Sequence, residues 1–72
     1  MNVSKLLGII KSFGDRQEDL ANAIGLSRVR LSAKIHGRNN ASFNQPEIAA
    51  IKKRYSLTSE EIDDIFFNNT VS

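Results

Sequence analysis

Cysteine and tryptophan are absent from this 72-residue chain, and proline and histidine occur once each. Without cysteine there are no disulfides and no thiolate metal sites. His36 alone, with carboxylates only at distant positions, builds no convincing zinc site, so no metal and no cofactor are expected. No apolar run approaches the roughly 20 residues of a membrane span. The apolar stretch near the start is broken by Gly8 and Lys11, and no small-residue cleavage site follows. A secretory signal is therefore not expected, and a cytoplasmic protein follows by default. A chain this short buries only about 60% of its unfolded surface, which leaves no room for a large catalytic cleft. There is no glycine-rich phosphate loop. Asp63 and Asp64 are adjacent, hence about 100° apart on a helix, and read as a solvated face and not an acid/base pair. Ser27 and Ser32 lack a histidine at a spacing that suggests a triad. Neither enzymatic activity nor a small-molecule substrate is expected.

Charge is present but unevenly spread. The net charge is only +2. Residues 27–54 hold Arg28, Arg30, Lys34, Arg38, Lys52, Lys53 and Arg54 against one acid, Glu47. Residues 55–72 hold Glu60, Glu61, Asp63 and Asp64 with no base. Such asymmetry suggests one face for an anionic partner and another of opposite sign. Part of the basic run has a plainer explanation, since Lys52, Lys53 and Arg54 close a helix whose dipole favours cations there.

The apolar residues recur at helical spacing. Val3, Leu6, Leu7, Ile10 and Phe13 form one stripe, which predicts a first helix over about Val3–Phe13. Gly8 within it suggests a close helix contact. Asp15 is expected to cap a second helix, with Glu18 three residues on. Leu20, Ala21 and Ile24 lie on its inner face, and Gly25 ends it in the left-handed conformation. Leu26 points back to the core. Ser27 caps a third helix with Leu31 and Ile35 inward, and Gly37 ends that one. The loop 37–44 is rich in turn formers, and Phe43 is expected to anchor it. A fourth helix follows Asn44, with Pro46 in its first turn, Glu47 closing a capping box, and Ile48, Ala49 and Ile51 inward. Tyr55 is expected to pack with its hydroxyl wet. Thr58 and Glu61 form a further capping box, opening a fifth helix to about Phe67. Its stripe is Ile62, Ile65 and Phe66. The expected core is Leu6, Ile10, Leu20, Ile24, Leu26, Leu31, Ile35, Ile48, Ile51, Ile62 and Phe66. Residues 68–72 carry no core signal and read as a frayed tail.

Residues 16–37 have the logic of two helices crossing at a tight turn. Ala21 is small where they would approach, Gly25 makes the turn, and Leu26 and Leu31 are apolar on either side of the second helix's start. Gln17, Leu20, Ala21, Gly25, Leu26, Ser27, Leu31 and Ser32 match in type and order the pattern of the Xre/Cro family of helix-turn-helix regulators. The chain resembles that family, and within it the small temperate-phage regulators of the Cro or modulator-of-repression kind. The match covers about a third of the chain. The resemblance implies an all-α, five-helix, lambda-repressor-like domain over 1–67, with the motif at 16–37. Lys34 departs from the pattern, standing where the family often has an aliphatic residue.

In that family the second motif helix enters the major groove of double-stranded operator DNA. With Leu31 and Ile35 inward, Val29, Ser32, Ala33 and His36 face outward, with Arg28 on one shoulder. Arg28 suits a bidentate contact to guanine and Val29 a thymine methyl, while Ser32 can donate or accept at a base or phosphate. Arg30, Lys34 and Arg38 lie on the other shoulder, for DNA backbone or a protein. Ser27 and Gln17 complete the set, Gln17 resembling the family's phosphate-contacting glutamine. The alternative is an antirepressor, a protein that binds the phage's main repressor and alters its hold on operators. The stripe of helix 5 leaves Phe67 beside it, so Ile65, Phe66 and Phe67 are expected at a protein interface, with a second copy or with the repressor.

Overall fold

The computed structural model describes residues 1–67. All of its regular structure is helical, and among the described residues there is no strand. Five α-helices run α1 Val3–Ser12, α2 Gln17–Ile24, α3 Arg28–His36, α4 Gln45–Arg54 and α5 Ser59–Ile62. A short 3-10 turn, Arg38–Asn40, follows α3, and α5 continues as a π-helical turn, Asp63–Phe67. The reading of residues 68–72 as a frayed tail lies outside the described residues.

Each start and stop has a local cause. The Asn2 side chain accepts from the Lys5 N–H at 3.1 Å and opens α1. The capping of α2 differs from expectation. Arg16, not Asp15, is the N-cap residue, and its N–H donates to the Asp19 carboxylate at 2.8 Å. Asp15 is drawn away: its Oδ2 accepts from both Tyr55 Oη and Arg54 Nε, each at 2.8 Å. The Tyr55 hydroxyl is thus bonded to protein, not wet. Gly25 ends α2 with φ 76, a conformation that costs residues with a Cβ about 1–2 kcal/mol. Ser27 caps α3 by accepting from Arg30 N–H at 3.1 Å. The boxes Asn44/Glu47 and Thr58/Glu61 both form.

The core holds Leu6, Ile10, Leu20, Ala21, Leu31, Ile35, Ile48, Ile51, Tyr55, Leu57, Ile62 and Ile65. Ile24, Leu26 and Phe66, expected inside, are only half-buried against it. Tyr55 and Leu57 close the bottom of the core after α4 ends. Phe13 turns out to be 55% exposed, resting edge-on against the Tyr55 ring at 5.0 Å. Ala49, expected inward, is exposed, and the inner side of α4 is made by Glu47, Ile48 and Ile51. Gly8 makes no close contact: a Cβ added there meets nothing within 4 Å.

The C-terminal turn departs most from an ideal helix. The chain is wound there as a π turn, yet Ile62 and Ile65 of the expected stripe are both buried and Phe67 beside it is exposed. Ile65 becomes fully buried, and Phe66 swings onto Phe43, the two rings 5.5 Å apart and edge to face. The Ile65 carbonyl accepts from Asn2 N–H at 2.7 Å, and Lys5 Nζ reaches Asp64 at 3.1 Å. The first and last described elements are thereby tied together.

Candidate functional site

The candidate face is the outer side of α3. Leu31 and Ile35, at 0% and 2% exposure, pin the inner side against the core. The turn 25–27 and the buried Ala21 let α2 and α3 pack closely. With the inner side fixed, helical geometry decides what projects. Val29 is 77% exposed, and Arg28, Arg30, His36 and Arg38 are exposed with it. Ser32 and Ala33 are half-buried at the flank, and the Ser27 oxygen is engaged in capping. Among the described residues no carboxylate lies within ion-pair distance of Arg28, Arg30 or Arg38. Their charge faces solvent.

Lys34 corrects the sequence reading. It was expected on the exposed shoulder. It instead lies 12% exposed, with Nζ 2.6 and 2.8 Å from the two carboxylate oxygens of Glu47. Burial pushes the Glu47 carboxyl upward. The Lys34 ammonium, the Asn44 backbone N–H and the charge of Arg30 outweigh burial and hold it below the usual glutamate range. Glu47 is ionised at neutral pH and its one acidic charge is matched by Lys34.

Gln17 stands at the head of α2, half-exposed, and lines a shallow groove of about 360 Å³ with Arg16, Glu18 and Arg28. Sequence reasoning placed Gln17 and Arg28 on successive helices; the fold brings them to one groove. Beyond α3, Arg38 begins the 3-10 turn, in which Asn39 and Asn40 have φ of 53° and 62°. Asparagine tolerates this left-handed region better than other residues with a Cβ.

The expected interface set separates. Ile65 is core and is withdrawn from any interface. Phe66 is half-buried on Phe43, while Phe67 remains 49% exposed, 6.5 Å from the Phe66 ring. Phe43, Phe66 and Phe67 line a groove of about 410 Å³ that also reaches Met1, Ile35 and His36.

Two polar clusters were missed from sequence. Lys34 and Glu47 lie 13 positions apart, and Asp15 and Tyr55 lie 40 apart, so no local pattern joins them. Among the described residues no cluster of histidine and carboxylates could hold a metal ion, and no helix is long and apolar enough to cross a membrane. No protein-family model matches this chain, and neither the curated proteins nor the solved structures include a match to it.

Proposed function

We propose that this chain is a lambda-repressor-like helix-turn-helix domain that reads operator DNA through α3, as a regulator of a temperate phage's lysogenic/lytic switch. One observation carries the reading: Arg28 and Arg30 on α3 and Arg38 just after it are all exposed, with no carboxylate within ion-pair distance among the described residues. Cations held this way attract a polyanion and release its counterions on contact. Val29, standing clear between the two arginines, offers an apolar contact for a thymine methyl. Gln17 and Arg28 share a groove at the head of α2, which suits a phosphate held beside a base contact.

A second reading has its own observation. Phe67 is half-exposed at the mouth of an aromatic-lined groove adjoining the end of α3. An aromatic anchor beside a cationic face is also what a protein interface uses. On this reading the partner is the phage's main repressor and the chain is an antirepressor. A gel shift with random duplex DNA at low and moderate salt, with and without that repressor, separates the two. Salt-sensitive binding of the chain alone supports the DNA reading. Binding to the repressor with no shift of DNA alone supports the antirepressor.

A further inference from the structure

The Lys34–Glu47 pair takes no part in the exposed face, yet it joins the two elements on which that face depends. Lys34 follows Leu31 on α3, and Glu47 sits in the first turn of α4. The ammonium meets both carboxylate oxygens, with side chains only 12% and 10% exposed. The same carboxylate accepts the Asn44 N–H at 3.0 Å, and the Asn44 side chain accepts the Glu47 N–H at 2.9 Å. One carboxylate therefore closes the head of α4 and fastens α3 to it. The close backbone neighbour of α3 is α2; the backbones of α3 and α4 approach each other little. The apolar burial of Ile35 and Ile48 in the shared core is non-directional, whereas an ion pair is directional.

We propose that Lys34 and Glu47 form a positioning pair, which fixes the tilt of α3 against α4 and so the direction in which Arg28, Arg30 and Arg38 meet an anionic partner, without touching that partner. The proposal rests on the reading of α3 as the DNA face. A buried ion pair contributes little net stability but holds one arrangement against others.

The test uses Lys34→Met, which keeps the stem volume, and Glu47→Gln, which keeps an acceptor for the Asn44 N–H. Backbone amide exchange is measured without DNA. Binding is then measured to a short duplex selected by the unaltered protein from a random pool, and to the unselected pool. In both variants, exchange in α3 and residues 37–44 should accelerate about tenfold relative to α1 and α2. Affinity for the selected duplex should fall about tenfold toward that for the pool. The salt dependence should not change. Unchanged exchange in α3 overturns the proposal. So does an equal loss on both duplexes with a salt slope lower by about 0.9, which makes Lys34 a phosphate contact. If Lys34→Met fails to fold, Glu47→Gln alone decides. If the unaltered protein selects no duplex, the DNA reading fails by itself, and the exchange data still decide whether the pair positions α3.

Discussion

Three titrating side chains set the limits of stability. Hydrogen bonds from Arg54 and Tyr55 hold the Asp15 carboxyl below its ordinary value, and Glu47 is likewise lowered. A lowered carboxyl stabilises the fold above its unfolded pKa, and that contribution is lost as pH falls through the folded value. Tyr55 behaves oppositely. Burial, then the bond to Asp15, pushes its phenol up from 10.0 to about 12. Its contribution is complete below pH 10.0 and is lost as pH rises through about 12. Urea denaturation across pH should therefore show a plateau at neutral pH, a fall that begins as pH drops into the ordinary carboxylate range and continues below it, and a second fall at alkaline pH. Tyr55→Phe should cost about 1 kcal/mol at neutral pH and soften the alkaline limb. An alkaline limb unchanged in that variant would show that Tyr55 does not set it. Lys34→Ala leaves Glu47 buried without its partner, and should cost about 3 kcal/mol in the same measurement. A cost near zero would mean that Glu47 is solvated after all.

Helices α1 and α2 offer opposite tests of packing. Gly8 stands in mid-helix with open space where a Cβ would go. Gly8→Ala should stabilise by about 1 kcal/mol through helix propensity and loss of unfolded-state freedom. A lower melting temperature would mean that the glycine serves a contact after all. Ala21, at 1% exposure, has no such space. Ala21→Leu should destabilise by about 1–3 kcal/mol as the helices are forced apart. What the sequence disclosed follows the same division. The caps at Ser27, Asn44 and Thr58, the glycine stop at Gly25, and the inward pair Leu31 and Ile35 were legible, because their causes are local. Asp15 was misread because Arg54 at the end of α4 and Tyr55 just after it compete for it across the fold. Lys34 was misread because its partner opens the next helix. Ile65 was on the expected stripe with Ile62, but it was assigned to an interface, whereas the fold uses it as core beneath Asn2 and α1.

For the molecule as a whole, charge is divided by pairing as much as by position. Acids are matched where they meet bases: Asp64 with Lys5, Glu47 with Lys34, Asp15 with Arg54. The arginines of α3 and of the turn after it remain facing solvent. Of the site residues expected from sequence, Arg28, Val29, Arg30, His36 and Arg38 are exposed, Lys34 is not, and Phe67 stands at a groove that adjoins the end of α3 at His36. The groove arose from long-range packing of the loop onto the π turn, which no spacing in the sequence foretold. The proposal that the α3 face meets duplex DNA has a direct measurement. It is tested most directly by titrating the unaltered protein and Arg28→Ala, Arg30→Ala and Arg38→Ala against a duplex over a range of salt. Removing an arginine that touches phosphate should make the slope of log K against log salt shallower by about 0.9. Arg28→Ala should also cost about 1–3 kcal/mol at one base position. Absence of binding at low salt, or slopes identical in all four proteins, would contradict it.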